Sequence, residues 1–125
     1  MINYLEVDDL VEIASIVLGE TPQVRDVGLL SSAVVRPATV AFGQEAYPDL
    51  WTKAAALLHS VCMNHALIDG NKRLAWAAAR VFLALNEVPI QDVNVDQAET
   101  LVMSVAGGTL TEVSDIAREL HKLYV

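Results

Sequence analysis

A chain of 125 residues that is 54 % hydrophobic fits one well-packed domain and is too apolar for a disordered segment. Its 16 acidic and 8 basic side chains give a formal net charge of −8, which excludes the broad basic face needed for non-specific nucleic-acid binding. No apolar run is long enough for a membrane span, the Met-Ile-Asn-Tyr-Leu-Glu start has no secretory character, and the single Cys62 excludes a disulfide framework or a cysteine metal site. A cytoplasmic protein with a buried, structural Cys62 is expected.

The first helical pattern opens at Val7 or Asp8, places Leu10, Ile13, Ala14 and Val17 on one face, and ends at Gly19. A loop containing Thr21-Pro22 leads to a second helix from about Arg25-Asp26 to Val35. Its apolar positions are Val27, Leu30, Val34 and Val35, and Pro37 stops it. Residues 37–48 lack helical periodicity and hold Pro37, Gly43 and Pro48 around a β-tolerant Thr39-Val40-Ala41-Phe42 stretch. A loop or short hairpin flap is expected there. Such irregular segments are often functional, although composition alone fits a plain connection as well.

Asp49 caps a third helix with Leu50, Ala54, Leu57, Leu58 and Val61 in one stripe, ending near Asn64. Asn71 is positioned to cap a fourth through its side-chain oxygen. Leu74, Ala75, Ala78, Val81, Phe82 and Leu85 form its stripe, and Asn86 ends it. Alanines 75 and 77–79 allow close approach, which makes this the expected central helix. After a connection through Pro89-Ile90 and Val93-Asn94-Val95, Asp96 starts a fifth helix that Gly107-Gly108 terminate. Thr109-Leu110-Thr111-Glu112 has capping-box spacing ahead of a sixth, with Val113, Ile116, Ala117, Leu120 and Leu123 in its stripe. With no repeat, linker or low-complexity segment, the expected fold is all-α: a compact single-domain bundle of about six helices over residues 1–125.

Polar chemistry concentrates between the third and fourth helices, over His65-Ala66-Leu67-Ile68-Asp69-Gly70-Asn71-Lys72-Arg73. His65, just past a helix end and with an ordinary pKa of about 6.5, suits a general base. Asp69 is a hard oxygen donor, and one carboxylate plus substrate phosphates is the usual way magnesium is held. Gly70 allows a close backbone approach or a positive φ. From Asn71 the helix start directs free N–H groups and the positive dipole end at the loop, and Lys72 and Arg73 add cationic groups suited to phosphate oxygens. Leu67 is placed to pin the loop to the core. Each feature also has a plain structural reading: a bonded histidine, an Asp-Gly turn, an Asn cap, two solvated bases. Bases at a helix N-terminus oppose its dipole, however, which makes more sense with an anion present.

Elsewhere the chemistry is thin. Neither common nucleotide-binding glycine loop is present. His59 and His65 are badly spaced for a shared metal, His121 reads as a surface residue, and Trp51 and Trp76 read as packing residues.

The pattern His65-x-Leu67-x-Asp69-Gly70-Asn71-Lys72-Arg73 resembles the signature of the Fic/Doc family, His-x-Phe-x-Asp/Glu-Gly/Ala-Asn-Gly/Lys-Arg. Length, helix order and the irregular segment before the motif resemble its short death-on-curing (Doc) branch, over nearly the whole chain. The resemblance implies an all-α fold whose motif loop joins two central helices, and transfer of a phosphate-containing part of a nucleotide to a target hydroxyl. It implies that His65 activates that hydroxyl, that Asp69 holds Mg2+, and that Gly70, Asn71, Lys72 and Arg73 cradle phosphates of ATP. The sequence departs from the signature at Leu67, where the family has Phe. Lys72 replaces the Gly of AMP-transferring members, and Trp76 stands where those members carry a second Arg.

Both of these last departures are similar to the Doc branch, which transfers the terminal phosphate to a threonine of elongation factor Tu and stops translation. Gly70 is the common residue of the wider family, so AMP transfer stays open as the alternative. A third reading is an inactive helical module that works only with its antitoxin, against which the intact His65, Asp69, Asn71 and Arg73 count. No glutamate is followed by Gly or Asn, so the family's inhibitory helix motif is absent and inhibition is expected from a Phd-like antitoxin with a disordered tail. Val40, Ala41, Phe42 and Gly43 match the family's target-docking flap in position and are candidates for peptide contact.

Overall fold

The computed structural model describes residues 1–125 as six helices and one small hairpin. The helices are α1 (Val7–Leu18), α2 (Val27–Val35), α3 (Leu50–Asn64), α4 (Asn71–Leu85), α5 (Val95–Ala106) and α6 (Val113–Lys122). A 3-10 turn, Arg36–Ala38, extends α2, and strands β1 (Val40–Ala41) and β2 (Gln44–Glu45) follow it. No helix is long and apolar enough to cross a membrane.

Local chemistry sets most boundaries as expected. Gly19 ends α1 in a left-handed conformation, and Asp49 caps α3 by accepting from Thr52 N at 2.9 Å. Two starts differ. Asn94, not Asp96, begins α5, because its Oδ1 accepts from Gln97 N at 2.9 Å. The expected capping box before α6 does not form. Thr109 instead donates its hydroxyl to Ser104 O (3.1 Å) in the turn that closes α5, and Glu112 becomes the N-cap without a side-chain bond.

The core is one continuous cluster in which α3 packs most extensively on α4. Ala54, Ala55, Ala75, Ala78 and Ala79 are fully buried, so the two backbones come close and the motif loop between them rests on rigid supports. α1 and α2 cover one flank of this pair, and α5 and α6 the other. Val27, Val35 and Leu85 were expected in apolar stripes but are exposed. Each is the first or last residue of its helix.

The irregular segment resolves into an antiparallel hairpin, with Val40 opposite Glu45 and Ala41 opposite Gln44. Its two-residue turn puts Phe42 and Gly43 at positive φ (54° and 77°), the twist that tight hairpins favour. Two strands alone are marginal in water. Here Lys53 of α3, 1 % exposed, ties the hairpin down by donating from Nζ to Glu45 Oε1 (2.8 Å) and to Pro37 O (3.2 Å).

Candidate active site

The motif loop is held from three sides. His65 ends α3 in the left-handed region (φ 53°, ψ 47°), which costs a non-glycine residue about 1 kcal/mol and requires support. Arg25 supplies it: Nε donates to His65 O at 2.8 Å and Nη2 to Asn64 O at 3.2 Å, satisfying carbonyls that the helix end leaves open. The chain before α2 then runs beside the loop. Val24 bridges Leu67, Arg25 N and Asp26 N donate to Ala66 O (2.7 and 3.1 Å), and Ile68 N donates to Gln23 O (2.9 Å). Leu67, 2 % exposed, anchors the loop in the core as expected.

The third support is Asn71, and it differs from the expected cap. Gly70 is the N-cap of α4 and Asn71 is its first helical residue. The Asn71 side chain turns back on the loop, accepting from Leu67 N (3.0 Å) and donating to Leu67 O (2.9 Å). Its amide is thereby committed to the loop at both ends, and its backbone N–H stays free for a ligand. Gly70 also has an internal reason to be glycine. Its φ is 91°, and an added Cβ would lie 2.5 Å from Leu18 Cδ2, so the close approach is to α1.

What remains open at the loop is cationic and donor-rich. The N–H groups of Asn71, Lys72 and Arg73 have no partner in the chain, since the first bond of α4 runs from Leu74 N to Gly70 O. Lys72 and Arg73 are exposed, take part in no ion pair, and sit in the first turn beside those donors. His65 and Asp69 are exposed on the same nine-residue stretch. Fixed donors, a helix dipole and two cations suit phosphate oxygens. Asp69 offers one carboxylate, and nowhere do three potential metal ligands gather. That donor set suits a magnesium ion carried in by phosphates rather than a resident metal.

The flap residues Val40, Ala41, Phe42 and Gly43 are exposed on the hairpin and make no side-chain hydrogen bond to the motif. The hairpin is rooted on α3 upstream of the loop, through Lys53 and through Arg36. The Arg36 guanidinium donates to Tyr47 Oη (2.9 Å), Ser60 Oγ (3.0 Å) and His59 Nδ1 (2.7 Å). Burial, and then the Arg36 charge, hold the His59 pKa below its ordinary value, so His59 serves as a neutral acceptor for the Arg36 guanidinium. Burial pushes the Cys62 thiol up to about 11, against a pull the other way from Lys72, which fits an inert core residue.

Arg25, Arg36 and Lys53 escaped the sequence reading. Lys53 left a signal, being a charged residue on the buried stripe of α3.

The Fic/DOC family model matches residues 4–83, from before α1 to near the end of α4, with the whole motif inside. The chain belongs to the Fic/DOC family. It is 52 % identical over 107 residues to a protein named Toxin Doc from Mycolicibacterium smegmatis (strain ATCC 700084 / mc(2)155), covering 85 % of this chain and 82 % of that protein. The Fic/DOC match stops short of α5, so the face that α5 turns toward α4 lies outside it.

Proposed function

We propose that this Fic/DOC protein is the toxin of a toxin–antitoxin pair, a protein-modifying phosphotransferase that moves the terminal phosphate of ATP to a hydroxyl side chain. A threonine of elongation factor Tu is the expected target, with arrest of translation in the cytoplasm as the result. One observation carries the reading: a braced His65 opens a loop that ends at the donor-rich, doubly cationic start of α4. The relative named Toxin Doc supports the toxin role.

A ring nitrogen of His65 takes the proton of the target hydroxyl while that oxygen attacks the terminal phosphorus. The new oxygen–phosphorus bond forms as the bond to the leaving oxygen breaks, and ADP departs. The α4 N–H groups, Lys72 and Arg73 bind the phosphates and stabilise the charge that shifts onto the leaving group. Asp69 would hold Mg2+ against the phosphates, where the ion neutralises oxygen charge. Lys72 puts bulk and charge where AMP-transferring members have glycine, which favours a different nucleotide pose and phosphate transfer. Gly70 is the residue that keeps AMP transfer as the second reading. The exposed hairpin tip at Val40–Gly43 offers an edge for the target peptide, and a Phd-like antitoxin with a disordered tail supplies inhibition from another chain.

The test uses ATP labelled separately at the α- and γ-phosphates, with magnesium and cell extract, and compares wild type with His65→Ala. A γ-label on a protein the size of elongation factor Tu, absent with His65→Ala, is expected. An α-label would replace this reading by AMP transfer. No label from folded, antitoxin-free wild type would sink both.

A further inference from the structure

Three successive carbonyls, those of Asn64, His65 and Ala66, accept hydrogen bonds from one residue. Arg25 donates from Nη2 to Asn64 O (3.2 Å), from Nε to His65 O (2.8 Å) and from its backbone N to Ala66 O (2.7 Å). The first two carbonyls belong to the peptide planes on either side of the His65 α-carbon. Holding both planes fixes φ and ψ between them, and with them the direction in which the side chain leaves the backbone.

A base is ordinarily aimed by a third group bonded to it. The chain gives the His65 imidazole no such partner: His65 enters side-chain bonding only through its carbonyl oxygen. Its aim therefore comes from the main chain. That main chain is left-handed at His65 (φ 53°, ψ 47°), a conformation a non-glycine residue keeps only when its surroundings impose it.

Arg25 suits the task in three ways. The last turn of α3 holds no basic residue, so the guanidinium, forty residues away in sequence, supplies the cation at that negative dipole end. Arg25 is in no ion pair, which leaves its planar fork of donors to the carbonyls. It also stands on an anchored segment. Pro22 is buried, Val24 bridges Leu67, and Gln23 O accepts from Ile68 N (2.9 Å).

We infer that Arg25 is the positioning residue of the His65 base. It acts through His65, setting the rate of transfer and not the affinity for ATP. This rests on the transferase reading above and adds a residue outside the motif on which the chemical step depends.

Transfer is followed with the α- and γ-labelled ATP used above, at saturating ATP and magnesium, so that a rate is read whichever group moves. Calorimetry with ATP and magnesium gives the affinity alongside. Arg25→Ala keeps the backbone bond to Ala66 and is expected to lose roughly 10–100-fold in transfer rate, the scale of a misplaced group. Its ATP affinity is expected to stay at the wild-type level. Arg25→Lys keeps the charge without the planar fork and should recover part of the rate. Methylguanidinium added to Arg25→Ala should recover some as well, with no effect on His65→Ala. Amide order parameters by NMR read the loop without any catalysis. Those of His65 and Ala66 should fall in Arg25→Ala while those of α4 do not. A wild-type rate with unchanged order parameters in Arg25→Ala would overturn the inference and leave the transferase reading intact. Rate and ATP affinity falling together, with no recovery in Arg25→Lys, would overturn it too, as the mark of a merely structural residue. No label from the wild type would sink the transferase reading and the catalytic role of Arg25 with it.

Discussion

Asn71 grips both backbone groups of Leu67, its Oδ1 accepting from Leu67 N at 3.0 Å and its Nδ2 donating to Leu67 O at 2.9 Å. One side chain thus closes the motif loop at its base, and it does so from the first residue of α4. Asn71→Ala leaves both Leu67 groups without a partner beside a core-buried side chain, at a cost of about 1–3 kcal/mol. Thermal unfolding should show the loss, and hydrogen exchange at the Leu67 amide should accelerate. Asn71→Asp keeps the acceptor but not the donor, so Leu67 N stays protected while the stability loss is partial. An Asn71→Ala protein with unchanged Leu67 exchange would remove the clamp from the account.

Lys53 is a second buried polar device, and its pairing predicts an alkaline signature. Burial is the largest influence and pulls its pKa down, yet the hydrogen bond to Glu45, with Tyr4 adding to it, outweighs burial and raises the pKa above the ordinary value of 10.5. A raised lysine contributes stability in full below 10.5, and that contribution disappears as pH climbs through the higher folded value. Glu45 is half exposed, which limits the pair's worth to about 1 kcal/mol. Glu45→Gln should therefore lower stability at pH 8 by that order and flatten the alkaline decline. Denaturant titrations at pH 8 and pH 11 check this. An alkaline decline that stays as steep in Glu45→Gln would place the linkage elsewhere.

His59 predicts the opposite flank. Its pKa is lowered by burial and by Arg36, so the folded protein binds this proton less readily than the unfolded chain. Stability from the neutral form is complete above the ordinary value of 6.5 and declines as pH falls through the lower folded value. His59→Asn places an amide oxygen near the Nδ1 position and can still accept from Arg36, but it does not titrate. It should unfold less steeply than wild type between pH 7 and pH 5, measured by urea midpoints. Parallel curves would rule His59 out as the source.

The six helices were legible because their apolar spacing is regular and their caps are local. The motif was legible because nine contiguous residues carry it. What could not be read has a common physical form: contacts between residues far apart in sequence. Arg25 bonds the end of α3 forty residues away, and Arg36 reaches His59 and Ser60. Spacing rules see only neighbours along one helix. Asn71 shows a subtler limit. Its residue type suits an N-cap, but with Gly70 at the left-handed N-cap position the chain turns one residue earlier and frees the amide for the loop. Trp76 was read as packing, and it does pack against the core, but only the placement of α5 shows that it also borders a cavity.

Glu87 follows the end of α4 in a left-handed conformation (φ 74°), while Val88 N donates to Leu83 O at 2.9 Å to close the turn. Glycine is the residue that takes this position without strain. Its side chain is exposed and makes no ion pair, so little is lost by removing it. Glu87→Gly should stabilise the protein by about 0.5–1 kcal/mol, with the gain in avoided strain offset in part by greater unfolded-state freedom. A rise in melting temperature checks it, and Glu87→Ala, which keeps the strain, should show no comparable rise.

Lys72 sets function against stability. It sits in the first turn of α4 with no carboxylate partner, where its charge opposes the helix dipole. Without phosphate present, Lys72→Ala should raise stability by about 0.3–1 kcal/mol. With ATP and magnesium the same variant should lose affinity and transfer rate, because one of two cations at the phosphate site is gone. The ligand-induced shift in melting temperature should therefore shrink even as the apo value rises. Lys72→Gly tests the further point that this side chain selects the transferred group, since it restores the residue found in AMP-transferring members. Retention of the γ-label alone, with an unchanged nucleotide pose, would show that Lys72 binds phosphate without choosing the reaction. A rise in apo stability with no loss of ATP binding or transfer would take Lys72 out of the site altogether.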